Sequence, residues 1–333
     1  MSAPQIEKSV ETISTRHQSR FNWANWVVGA QGPLLGLIIL CAVFSLTTNV
    51  FLTVRNALNV LDQVTVLGIL AIGMTAVIVS GGIDLSVGSI LALSMMIMGW
   101  LRDSFSVPVP VGIALGLVAG TICGLVNGLL VTKARLPAFI ATLTMMSVAR
   151  GLANIVTDGR QVVGYPDWFT KLATVRNFGF LSVTVGLFVA LVLVSWIFLR
   201  YHSLGRSLYA IGGSPEVARL AGIHVQRLTI GVYTLAGLLA GIAGIAMASR
   251  LDSSEPSAGL GYELDTIAAV VIGGASLSGG VGGIGGTVVG VLIIGVLHNG
   301  LNLSGVSPFI QQVVIGVVIA LAVTADTLRR KKA

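Results

Sequence analysis

Residues 266–325 contain no aspartate, glutamate, lysine or arginine. A soluble fold has no way to bury a tract of that length and still cover its surface with polar groups. Charge-free stretches of about twenty residues recur along the rest of the chain, and about 20 helical residues cross a hydrocarbon core of roughly 30 Å. The composition agrees: 54% of the residues are hydrophobic and 10% charged, against about 25% charged in ordinary soluble domains. Lipid is therefore the expected solvent. Lipid offers no partner to the backbone, so each crossing segment must satisfy its own N–H and C=O groups as a helix. The expected fold class is an all-α, polytopic transmembrane bundle.

Ten spans are expected, near 33–51, 63–80, 85–101, 111–131, 137–156, 181–199, 228–248, 264–276, 285–301 and 309–326. The eighth is short, and the glycine-rich break from Ser278 to Gly286 beside it suggests a discontinuous or re-entrant segment. With the N-terminus inside, 13 of the 20 basic residues fall on cytoplasmic segments. That bias favours an N-in, C-in orientation. The chain then divides into a cytoplasmic tail (1–31), a membrane domain (32–328) with one sizeable cytoplasmic loop (200–227), and a basic cytoplasmic terminus (329–333). The net charge of +7 is spread between apolar runs, which suits membrane topology and excludes a nucleic-acid partner.

No catalytic or metal-binding constellation is present. None of the lysines carries the glycines of a G-x-x-x-x-G-K-[ST] loop, there is no H-E-x-x-H and no G-x-S-x-G, and the four histidines are scattered. Cys41 and Cys123 sit in apolar runs as small hydrophobes. No catalytic residue, metal ligand or cofactor is assigned to this chain. If ATP drives it, a separate subunit hydrolyses the ATP.

Five groups of residues merit attention. Gly112, Gly116, Gly120, Gly124 and Gly128 recur every fourth residue, a helix-packing stripe that lets another backbone approach. Asp84, in Ser80-Gly81-Gly82-Ile83-Asp84-Leu85-Ser86-Val87-Gly88, is an ionisable group between apolar runs. It caps the next helix, touches a transport path or gate, or couples protons. Asn127, Asn299, Asn302, Gln311 and Gln312 are carboxamides in or near spans, which bond between helices or line the path of a hydroxyl-rich solute. Arg102, Arg160 and Arg250 face outward, where a partner's carboxylates would meet them. In the cytoplasmic loop, Ser214 as cap, Pro215 at the first turn, Glu216 at the positive end and Gly222 as terminator predict a helix of about two turns. Its exposed face, Ala218 included, is expected to fill a partner's groove.

These residues carry a resemblance. Gly81–Gly88, Phe139-Ile140-Ala141-Thr142-Leu143, Gly205-Arg206 with Ala210–Gly213, Ala218–Ile223, Gly261–Val271, Gly273–Gly280 and Asn299–Leu303 are similar, in order, to the signatures of ribose-type ABC importer permeases. The resemblance covers residues from about 55 to 325. It implies a permease of the bacterial inner membrane in which two such subunits, as a homodimer, form a translocation pathway for a monosaccharide. A periplasmic sugar-binding protein would deliver the sugar, and a double-cassette ATPase using ATP-Mg would dock below. Ser214, Pro215, Glu216, Val217, Ala218, Arg219, Leu220, Ala221 and Gly222 would form the coupling helix. Permeases for branched-chain amino acids or inositol, and an ion-coupled secondary transporter with Asp84 as coupling site, are the competing readings.

Overall fold

The computed structural model describes residues 32–176 and 181–330. The expected tail 1–31 and the end of the basic terminus, 331–333, lie outside the described residues. Among the described residues the chain forms thirteen helices and one minimal strand pair.

The first helices are α1 (Gly32–Thr47), α2 (Val54–Val79), α3 (Val87–Phe105), α4 (Val109–Thr132) and α5 (Ala138–Ile155). A strand β1 (Val162–Val163) and helix α6 (Asp167–Thr174) precede α7 (Val183–Tyr201). Two short helices, α8 (Ser203–Gly213) and α9 (Pro215–Leu220), lead into α10 (Val225–Leu251). After β2 (Ser253–Ser254) come α11 (Tyr262–Ile272), α12 (Ile284–Leu303) and α13 (Pro308–Arg330). Six of these, α2, α4, α5, α7, α10 and α12, are long and apolar enough to cross a membrane by length and composition. At 1.5 Å per residue, α11 extends only roughly 16 Å, about half a hydrocarbon core.

Two helices form the centre. Every residue of α2 from Val64 to Val79 is buried, as befits a helix apolar on all faces. α10 crosses it and packs on α4, α2 and α3. The perimeter is made by helices such as α7, where only Val185, Phe188 and Leu199 are buried and Leu193, Val194 and Ile197 are exposed. Such apolar exposure is what a lipid-facing surface requires.

The glycine stripe of α4 explains the tightest packing. A Cβ on Gly116 would lie 2.5 Å from the Ser94 carbonyl of α3, one on Gly120 2.7 Å from the Gly237 carbonyl of α10, and one on Gly128 2.7 Å from Ile230 Cα. Gly124 meets the Tyr233 carbonyl as closely, and Gly112 faces Met98 of α3. The stripe thus changes partner along its length. Four residues advance a helix by about 400°, so the stripe drifts roughly 40° per glycine. Over five glycines it winds from α3 round to α10. Gly286 and Gly290 of α12 make the same kind of approach to Gly273 and Ala269 at the end of α11.

Polar ties cross the bundle at its ends. Asn56 and Asn299 exchange two hydrogen bonds of 2.9 Å between α2 and α12. His298 Nε2 lies 3.0 Å from Asp265 Oδ2, joining α12 to α11. Arg176 pairs with Asp62 at 2.6 Å. β1 and β2 form a two-residue antiparallel ladder, Val162 opposite Ser254 and Val163 opposite Ser253. This ladder and α6 are additions to the expected all-helical plan, in which 157–180 is a plain connection. The Tyr165 hydroxyl meets Ser254 Oγ at 2.6 Å, and Ser249 Oγ donates to the Phe169 carbonyl at 2.6 Å. These bonds seat the whole segment on the ends of α3 and α10.

Candidate functional site: a glycine-lined junction beneath a buried carboxylate

The loop expected to hold a short helix is organised around Ser214. Its backbone is extended, with φ −161° and ψ 112°, and its Oγ accepts from the Val217 N–H at 3.3 Å. Pro215 occupies the first turn and Glu216 lies at the positive helix end. Gly222 terminates the element at φ +82°, a conformation open to glycine at little cost. The Ile223 N–H then returns to the Ala218 carbonyl at 3.0 Å.

One expectation about this helix fails. Ala218 is not on the exposed face; it is 2% exposed and packed against its own chain. The face turned outward carries Val217 and Leu220, 65% and 89% exposed. Ala218 is the one buried residue of this six-residue helix, and less than two turns give too little periodicity for spacing to single it out.

The preceding helix, α8, connects this element to the bundle. His202 caps it, Nδ1 accepting from the Leu204 N–H at 3.2 Å. Its far end meets two other loops. A Cβ on Gly279, whose φ is +86°, would lie 2.7 Å from the Gly212 carbonyl and 2.9 Å from Gly81 Cα. The Gly280 N–H donates to the Val79 carbonyl at 2.9 Å, and the Tyr209 hydroxyl donates to the Gly282 carbonyl at 3.0 Å. Burial raises the Tyr209 pKa, which keeps the hydroxyl a donor. The ends of α2, α8 and the 273–283 loop are thus joined backbone to backbone.

Asp84 lies in the loop between α2 and α3 that Gly81 opens, and it is fully buried. Its Oδ1 accepts from the Ser86 N–H at 2.8 Å and the Ser86 hydroxyl at 2.6 Å. This is a bond ahead of α3 rather than a cap on the amides of its first turn, which begins at Val87. Ser86 Oγ in turn accepts from Asn127 Nδ2 of α4 at 2.9 Å. Asp84 Oδ2 and Asn127 Oδ1 are buried with no hydrogen-bond partner among the described residues, and the Tyr233 hydroxyl lies close by against the Ile83 backbone. Unpaired buried oxygens cost free energy, which makes this polar cluster a candidate for function.

The remaining candidates separate. Asn299 is consumed by its pair with Asn56. Asn302 accepts from Gln311 Nε2 at 2.8 Å. Gln311 is buried and Gln312, one residue on, is exposed, so Gln312 is not part of that cluster. Arg102 donates to the Val163 and Gly164 carbonyls and lies over the Tyr165 ring; it holds β1 in place. Arg160 is exposed and Arg250 half-buried. Reading the sequence missed α8, Tyr209, Tyr233 and the His298–Asp265 pair. It also missed Arg150, whose guanidinium donates to the Pro256 and Ala258 carbonyls. Tyr233 and Tyr209 sit in long apolar or glycine-rich runs where nothing local distinguishes them.

Comparison with known proteins supplies the context for this geometry. The profile of the family described as "Branched-chain amino acid transport system / permease component" matches residues 56–323. The ribose import permease protein of Bacillus subtilis (strain 168) is 48% identical over 312 residues, 91% of this chain and 93% of that protein. The ribose import permease protein of Escherichia coli (strain K12) is 43% identical over 326 residues, covering 97% and 100%. The L-arabinose transport system permease protein of the same strain is 39% identical over 298 residues, covering 89% and 88%. No solved structure gives a significant match. A multi-pass bundle with this glycine-lined junction, matched along nearly its whole length, belongs to the branched-chain amino acid transport system / permease component family, among its ribose-type ABC importer permeases.

Proposed function

We propose that the chain is the translocation subunit of an ATP-driven ribose importer in the bacterial inner membrane. The observation that carries this is the match to ribose import permeases over more than nine-tenths of the chain. The L-arabinose relatives make another pentose the second reading. Two copies form the pathway as a homodimer. A periplasmic binding protein delivers the sugar, with Arg160 and Arg250 as the basic groups it meets. A double-cassette ATPase supplies the energy through ATP-Mg, and this chain binds no cofactor. All ten expected spans cross or enter the membrane, N-in and C-in, with α11 as a half-span. That count is supported by helices at every one of the ten positions.

Coupling is assigned to α9. Its outward Val217 and Leu220 fit a groove on the ATPase, and movement of α9 passes through α8 and the glycine junction to the loop of Asp84. Asp84, Asn127 and Tyr233 act at the cytoplasmic end of the pathway, where the unpaired oxygens of Asp84 and Asn127 suit a gate that exchanges partners.

Reconstitution in proteoliposomes tests the whole reading. With ATPase, binding protein and ATP, labelled ribose should accumulate; leaving out the ATPase should abolish uptake. Accumulation driven by an ion gradient without the ATPase would overturn it.

A further inference from the structure

Two cavities at the α8–α10 end of the bundle share one residue, Arg227. The first, about 240 Å³, is lined by apolar groups, among them Ile72, Phe198, Leu204, Leu208, Gly231 and Leu235, with Arg227 at its rim. The second, about 510 Å³, is basic, with Lys133, Arg219, His224 and Arg227 in its wall. Among the described residues the side chains of these four make no hydrogen bond or ion pair. A single side chain thus joins an apolar slot to a cationic one.

We infer that the two cavities form a binding site for one anionic phospholipid, an acyl chain in the slot and the phosphate against Arg227 and Lys133. The inference rests on the membrane reading and on the orientation proposed above. Two observations and one general rule select this occupant. The ligand must be apolar along one part and anionic at the other, because the slot and the basic cavity meet at Arg227. The depth is that of headgroups: the Arg200 guanidinium lies 5.9 Å from the Trp196 ring centre and 5.8 Å from that of Tyr201, on the end of α7 beside the slot, and such aromatic residues collect at the membrane interface. Basic pockets between spans on the cytoplasmic side are matched to anionic headgroups. A second copy, related by symmetry, would bring the same cationic surface and no counter-charge. A free inorganic phosphate would fill the basic cavity and leave the slot empty.

Gly231 gives a clean test, because a Cβ there meets nothing within 4 Å. A large side chain at this position enters the slot without displacing the packed core. The full-length chain is purified in detergent, and retained phospholipid is quantified per chain by mass spectrometry. Its melting is then followed with added phosphatidylglycerol, with phosphatidylcholine of the same acyl chains, and with inorganic phosphate. Phosphatidylglycerol should be retained and should raise the melting temperature, and the other two should do neither. Gly231→Trp should abolish retention, whereas Gly151→Trp, at an open, exposed glycine of α5 away from both cavities, should not. Arg227→Gln should weaken retention about fivefold and Arg227→Lys should restore most of it. Equal retention of phosphatidylcholine, or a full shift from phosphate alone, would overturn the site. So would a loss in Gly151→Trp equal to that in Gly231→Trp, or a Gly231→Trp variant that keeps its lipid but changes oligomeric size by light scattering, which would assign the slot to a second copy. No arm depends on transport, so failure of ribose uptake and failure of this site are separately visible.

Discussion

Gly120 has the Gly237 carbonyl on one side and Ser94 Oγ on the other, 2.7 and 2.9 Å from where a Cβ would stand. The Ser94 hydroxyl can rotate, but the Gly237 backbone cannot yield without parting α4 from α10. Gly120→Leu should therefore lower stability by about 1–3 kcal/mol or more, seen as lost folded yield and melting temperature. The comparison variant must be Gly151→Leu, where nothing lies within 4 Å. Gly68 does not serve, because the Phe188 ring fills the space beside it. The reciprocal amides of Asn56 and Asn299 make a second residue-scale prediction. Asn56→Leu or Asn299→Leu alone leaves a buried carboxamide without its partner and should cost about 1–2 kcal/mol. The double variant should cost less than the two singles summed, read from a thermal-denaturation cycle. Strict additivity would show that the two amides act independently.

At the scale of elements, the coupling role proposed for α9 is tested on its outward face. Val217→Asp and Leu220→Asp change only its outward face, so both should insert normally, yet co-purify with less ATPase and support little uptake. Ala218→Trp should instead unseat the helix from its own chain, because Ala218 is buried. Normal association in both aspartate variants would place the contact elsewhere. The positions of most long helices were legible in the sequence, since charges and glycine-rich breaks divide the apolar runs. α8 was not: Gly205, Gly212 and Gly213 lower the local helix propensity, whereas Gly205 and Gly212 are there because other backbones press on them. The candidate site was half legible. Asp84 was conspicuous as a lone charge, but its link to Asn127 through Ser86 spans 41 residues, and Asn56–Asn299 spans 243. No local pattern encodes a pairing between carboxamides so far apart. The choice of Gln311 over Gln312 depends on the rotation of α13, which two adjacent identical residues leave open.

For the whole molecule, orientation is the first quantity to measure. Periplasm-dependent reporters fused near Glu255 or Ser304 should be active, and fusions near Ala134 or Ser214 silent; activity at Ser214 would remove α9 from the cytoplasm and with it the coupling assignment. The burial of α2 on every side carries a further consequence. Its neighbours include α7, α10, α11 and α12, and α12 ends some 220 residues after α2 does. At about 5–20 residues per second, the ribosome needs roughly 10 to 45 s to supply the last of them. During that interval a helix destined for the protein interior stands among lipids or insertion factors, with Thr65 and Thr75 turned toward hydrocarbon. Biogenesis should then be the stage at which substitutions in α10 and α12 first tell, through proteolysis of nascent chains before any defect in transport can be measured.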